Sequence, residues 1–526
     1  MKASNKWLTA PLAAGLAATL LSGCGTEQGG DSGSSEDTVR IGMSDEILAI
    51  DPAAGYDPGS WILFNNVFQT LVAFPNGGSR PAPEAAQQCG FSAGSTVYTC
   101  TLRDGLTFSN GNPLTSEDVK FSFERTLKID DPSGPASLLS SIDTIETPDP
   151  QTVVFRLKVP DATFPSKIAS GAGSIVDHRE YPADALRTDG KAVGSGPYKL
   201  DSFGETAAVF SANTGYHGTF KRKNEGVTLK LFRGDRKALA KALTGGDLDV
   251  AYRGLSDDDI VSIENSSGTG QGIEVVQGTS AEVQHLVFNT DDPVVGKLGV
   301  RQAIAHLVDR EALVQNVYKS TATPLYSIVP AGIAGHNTAF YDTYGSPDRA
   351  KAEKALRAAG ITDKVKLTLW STPSRYGPAT DQELKAIAEQ LNASGLFEAD
   401  VESVEFGQYE KDIAAGKYGV YVKGWVPDYA DADNFTAPFF GEGNVAGSPY
   451  ENATITGRLL PRTAGSADRG AASADFGRIQ DIVADEVPFL PLWQGKQYAV
   501  AREVVTGLEW TLDANAVFRF WEIKAD

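Results

Sequence analysis

A single hydrophobic core stops growing near ~250–300 residues, and this chain runs to 526. The sequence therefore predicts two or three lobes, each burying its own interior. Apolar residues contribute 41% and charged residues 22%, a globular balance rather than a disordered one. The formal net charge of −20 sets the surface against phosphate backbones, so no nucleic acid is expected as a partner.

Strands and helices interleave along the chain, which predicts an α/β class. TVVFRLKVP (152–160) places Val153, Phe155, Leu157 and Val159 on one face, the period of a half-buried strand. TSEDVKFSFERTL (115–127) opens a helix with Thr115 or Ser116 as cap and acids in the first turn. SPDRAKAEKALRAAG (346–360) predicts a helix capped by Ser346, with Pro347 in its first position and Gly360 past its end. In TDQELKAIAEQLNASG (380–395), Thr380 and Glu383 have the spacing of a capping box. GVRQAIAHLVDREALVQNVY (299–318) carries Ile304, Leu307, Val308 and Val317 at helical spacing and predicts one helix.

At the N-terminus, Lys2 and Lys6 precede the apolar run LTAPLAAGLAATLL, then Ser22, Gly23 and Cys24. The run is shorter than the ~20 residues a membrane span needs, and the order is that of an export signal. Leu21-Ser22-Gly23-Cys24 resembles the lipobox of bacterial lipoproteins. That resemblance implies a signal peptide over 1–23 and a lipidated Cys24, anchored on the extracytoplasmic face of the cell membrane. Residues 24–37, polar and rich in Gly and Ser, read as a flexible tether.

Outside the cell, cysteine pairs usually close. Cys89 and Cys100 flank a short turn and strand, so a hairpin can bring them into a disulfide; two free buried thiols are the alternative. A loop of that length stabilises by roughly 3 kcal/mol in the chain-entropy model.

GWVPDYADADNF (424–435) sets Asp428, Asp431 and Asp433 among Trp425, Tyr429 and Phe435. Three readings compete: a cation site, a catalytic acid, or a solvated acidic turn. Asp431, Asp433 and Glu442 have part of a calcium-loop spacing, but Phe435 and Thr436 stand where an oxygen ligand and a glycine are needed. Asp431 and Asp433 read instead as turn and cap residues. His178, His217, His285, His306 and His336 lack paired metal spacing. GFSAG (90–94) has the GxSxG spacing but falls in the turn and strand between Cys89 and Cys100, so it is not a strand-to-helix elbow, and no phosphate loop occurs. Neither an enzyme nor a cofactor is expected, and a secreted hydrolase is the enzyme form left as a remote alternative.

Five segments in order carry a family resemblance: residues 99–127 (TCTLRDGLTFSNGNPLTSEDVKFSFERTL), VGSGPYKLDSF with NTGYHG, VRQAIAHLVDREALVQNVY, GWVPDYADADNF and ADEVPFLPLW. Together they resemble the peptide/nickel solute-binding proteins of ABC transporters, solute-binding protein family 5. The resemblance implies a type II periplasmic-binding α/β fold, with two lobes, a hinge and a subdomain on the first lobe. It places lobe I at 38–75, 190–287 and 499–526, its subdomain at 76–189 and lobe II at 288–498. Hinge crossings are expected near 285–293 and 496–504. The implied function is capture of di- or oligopeptides by a monomer that delivers them to permease and ATPase subunits. Nickel chelates, opines and oligosaccharides are alternative ligands within the family.

In peptide-binding members the Asp of the GWxxD motif pairs with the ligand's α-amino group, and the matching residue is Asp428. The resemblance makes Gly424, Trp425 and Val426 a strand-like rail for the peptide backbone, with Tyr429 beside it. The second rail falls at Tyr56, Asp57 and Pro58. The arginine that some members carry three residues before the tryptophan is Val422 here, which leaves the partner of a ligand carboxylate open.

Overall fold

The computed structural model describes residues 37–266, 272–319, 321–376, 379–441 and 443–525. The expected signal peptide, the tether with Cys24 as far as Glu36, and Glu442 lie outside the described residues. No helix among them is long and apolar enough to cross a membrane.

Two long antiparallel strands, Ile273–Phe288 and Phe489–Arg502, organise the body. Near one end they continue through Val250–Tyr252, Thr38–Met43, Gly226–Leu231, Ala207–Ala212 and Tyr198–Phe203. Near the other, Ile273–Phe288 pairs with Val420–Trp425, which leads to Val365–Ser371 and Phe397–Ser403. The partners change at a register shift between Thr279 and Val283, opposite Gln494–Lys496. On the first strand this lies a few residues before the 285–293 segment singled out from sequence. An irregular pairing there suits a bend, because ladder hydrogen bonds are locally lost.

Buried side chains fall into separate interiors on either side of that crossing. One joins Ala281–Trp493 with the helices between them. A second is built by Val39–Phe68, Val176–Tyr252 and Ala499–Ile523, beside a small cluster around Leu239 and Leu243. A third, centred on Phe123, Phe155 and Phe164, packs the four-stranded sheet that contains Thr152–Leu157. In that strand Val153, Phe155 and Leu157 are buried, as its alternation requires, but Val159, expected on the same face, lies past the strand's end at Leu157 and is exposed. Cys89 and Cys100 stand directly opposite one another in the same sheet and are bonded.

Local signals hold where side chains have no better partner. Thr115 caps Ser116–Ile129, with Asp118 closing the box. Elsewhere tertiary contacts override them. The helix of 349–358 is capped by Asp348, which accepts from Lys351 N, and not by Ser346. Residues 299–318 break into two pieces, because Val308 turns extended and Asp309 caps a new start by accepting from Ala312 N. Glu383 forms no capping box; its carboxylate bonds Gln284 instead.

Candidate functional site

Thr38–Met43 runs parallel to Gly226–Leu231 and Val250–Tyr252, and Val365–Ser371 runs parallel to Phe397–Ser403 and Val420–Trp425. In open α/β sheets, ligands bind outside the carboxyl ends of parallel strands. Asp45 and Arg253 stand at those ends in the first lobe, and Arg375, Tyr376, Gly424 and Trp425 in the second. Glu282 sits at the crossing between them and is acted on by both Arg253 and Arg375. The two sets of carboxyl ends therefore open over one floor.

Two residues 372 positions apart meet above that floor: the Tyr56 hydroxyl donates to Asp428 Oδ1. Burial, and then the negative charge of Asp428, hold the Tyr56 phenol well above its ordinary pKa, so it stays a donor. Its ring packs 5.6 Å from Trp61. Asp57 accepts from Ser60 N at 2.8 Å and Pro58 fills the first helical position. Those two start the helix Pro58–Val67, while Tyr56 alone reaches across.

On the other side, Asn434 organises the stretch. Its Oδ1 accepts from Trp425 Nε1 at 2.9 Å and from Asp428 N at 3.0 Å, and its Nδ2 donates to Asp428 Oδ2 at 3.1 Å. Asn434 is buried, so it acts as a rigid clamp that aims one carboxylate oxygen outward. Sequence reading passed over it; the signal was an amide among carboxylates, six residues after Asp428. Gly424 lies against the Tyr376 ring, 2.9 Å from where a Cβ would stand, so any side chain there would have to push that ring aside. Trp425 packs edge-on to Phe439, and Val426 is exposed.

Tyr429 points away from this group. It is buried in the third interior, that of the four-stranded sheet, and its hydroxyl donates to Asp433 at 3.3 Å. Asp431 caps the next turn and holds Arg469 in a two-pronged ion pair at 2.6 and 2.8 Å. Burial, aided by the charge of Asp431, pushes Asp433 up to about 6 against the pull of Arg469 and Lys167.

Cationic groups at the floor differ in commitment. Arg253 pairs with Asp45 and Lys423 with Glu410 at 2.7 Å. Arg375 lies over the Phe406 ring at 5.5 Å and is exposed. Asp118, Asp177 and His178 converge closely enough to suggest a metal, but Arg179 donates to both carboxylates at 3.0 and 2.5 Å. The chain itself supplies the cation there.

Two lobes joined by a pair of long strands, with parallel-strand ends and a clamped carboxylate over a shared floor, define a periplasmic-type solute-binding protein. Residues 80–447 match the model of the bacterial extracellular solute-binding proteins, family 5 (middle region), and the chain belongs to that family. A probable D,D-dipeptide-binding periplasmic protein of Escherichia coli (strain K12) is 27% identical over 489 residues, covering 89% of this chain and 90% of that protein. Di/tripeptide-binding protein 1 of Pseudomonas aeruginosa (strain UCBPP-PA14) is 25% identical, covering 86% and 89%. The solved structure of HbpA2 from Haemophilus parasuis superposes with a TM-score of 0.82 at 21% identity, covering 93% of this chain and 100% of that one. DppA from Helicobacter pylori in complex with the peptide STSA gives 0.72 at 23% identity, covering 93% and 98%. These relatives are named as binding proteins rather than enzymes, and family members serve ABC transporters on the extracytoplasmic side.

Proposed function

We propose that this chain captures short peptides between its lobes, with Asp428 accepting the ligand's α-ammonium group. The observation that carries this reading is the Tyr56–Asp428 contact. A hydroxyl donor from one lobe occupies the carboxylate of the other, in the place an ammonium takes when a peptide binds. A charged group leaving water requires a charged, hydrogen-bonded acceptor. Gly424–Val426 offers backbone groups to an extended peptide irrespective of its side chains. Arg375, stacked and exposed, meets the peptide carboxylate. The names of the relatives, which bind dipeptides and tripeptides, support the same ligand class.

Residues 38–75, 190–287 and 499–526 act as lobe I, 76–189 as its subdomain and 288–498 as lobe II. The crossing at 279–283 and 494–496 is the hinge. A ligand touching both lobes favours the closed form by its differential affinity. Cys24, lipidated, holds the monomer at the cell membrane and raises its concentration near the permease. ATPase subunits supply the energy.

Asp428→Asn tests this. Calorimetry with dialanine is expected to show a loss of about 2–5 kcal/mol, and N-acetylated dialanine a similar loss on the wild-type chain. Unchanged affinity in the variant removes Asp428 from the site. Equal binding of acetylated and free peptide points to a non-peptide solute.

A further inference from the structure

Glu383, on the helix Ala379–Ala393, is completely buried inside the second lobe. Among the described residues, the groups that act on its carboxyl are Gln284, Tyr318 and Trp493; none carries a positive charge, and of the three only the Tyr318 phenol is an ionisable group. Burial outweighs their donors and pushes the carboxyl up to about 7. A buried acid without a countercharge is costly, and this one stands directly behind the cleft wall.

The connection to that wall is a single amide. Gln284 Nε2 donates to Glu383 Oε2 at 2.5 Å. Gln284 is buried, and its residue pairs with Gly424 on one side and with Trp493 on the other. With Nε2 committed to Glu383, Oε1 is turned towards Gly424, 3.4 Å from where a Cβ there would stand. Glu383 thus reaches both strands that join the lobes, just past the register shift at Thr279–Val283.

We propose that Glu383 is a positioning residue whose charge state decides which end of the Gln284 amide faces the Gly424–Trp425 segment, and thereby tunes ligand affinity. An ionised carboxylate only accepts, so it must be met by Nε2. After taking a proton from solvent, the carboxyl carries an O–H that donates to Oε1, and the amide turns over. An acceptor beside Gly424 becomes a donor at no change in volume. This inference rests on the reading of Gly424, Trp425 and Asp428 as ligand-facing, and the experiment separates the two.

Dialanine affinity is measured calorimetrically from pH 5.5 to 8.5 on the wild-type chain, Glu383→Gln and Asp428→Asn. The wild type is expected to show a several-fold step in affinity centred near pH 7, and Glu383→Gln to lack that step while melting cooperatively. Glu383→Asp restores a step. A wild-type profile without a step, or the same step in Glu383→Gln, overturns the proposal. If Asp428→Asn binds like the wild type, the ligand reading fails and this inference with it; if it loses binding while Glu383→Gln keeps the wild-type step, only the Glu383 proposal fails. Should Glu383→Gln not fold, the wild-type chain labelled with 15N-tryptophan decides. The Trp493 indole resonance, assigned by Trp493→Phe, must shift near pH 7, and its invariance overturns the proposal.

Discussion

The two halves of GWVPDYADADNF use the same residue types for opposite ends. Residues 424–428 stay partly open, and their one acid is met by a neutral hydroxyl from across the chain. Residues 429–435 are anchored: Tyr429 is sunk in the interior of the four-stranded sheet, and Asp431 is locked to Arg469. An aspartate is not a site by virtue of its type or its neighbours in sequence. It becomes one when its partner can leave, and a tyrosine hydroxyl can leave where a two-pronged guanidinium does not.

The comparison is broken most severely at the anchor. Asp431→Ala leaves the largely covered Arg469 guanidinium without its carboxylate, at a cost of about 3 kcal/mol. A large fall in melting temperature is expected, against little change for Asp428→Asn. Equal melting of both variants would erase the distinction between the halves.

Asn434 joins the halves, so Asn434→Ala is expected to register on both scales. It strips the partner from the Trp425 indole and the Asp428 amide, costing about 1–3 kcal/mol, and weakens peptide binding as Asp428 loses its aim. Melting and calorimetry on one sample check both effects. A loss of stability without a loss of affinity would show that the clamp does not orient the carboxylate.

Tyr56→Phe sharpens the open half. Removing the hydroxyl that competes with the ligand is expected to tighten dialanine binding by up to ~1 kcal/mol, the net worth of one hydrogen bond. Weaker binding would mean that the hydroxyl contacts the peptide itself.

The smallest effect is on pH dependence. Asp433 is held at about 6 in the folded chain, above the ordinary carboxylate range near ~4. Between those values the folded state holds more protons than the unfolded state, so this group's contribution to stability falls as pH rises from about 4 to 6. Asp433→Asn is expected to flatten that part of a melting-temperature profile, and an unaltered slope would place the titration elsewhere.

Local chemistry was legible wherever one residue's choice depends on its neighbours in the chain. The alternation of Val153, Phe155 and Leu157, the Thr115 cap and the Cys89–Cys100 hairpin are of that kind, and all three stand in the structure. Ordered motifs pointed to the family and its fold. The Ser346 cap, the Glu383 capping box and the unbroken helix over 299–318 failed for one reason: each residue or segment found a better partner than its nearest helix end. Glu383 gave its carboxylate to Gln284, 99 residues away.

What the sequence by itself determined is the strongly periodic elements, the order of the family's motifs and the pairing of near neighbours, because backbone propensities and short loops act over a few residues. Which aspartate faces an opposing hydroxyl, which tyrosine is buried and which amide clamps the carboxylate were decided only by tertiary structure. Those contacts join positions hundreds of residues apart, as Tyr56 joins Asp428, and no local pattern encodes which surfaces the packed lobes bring together.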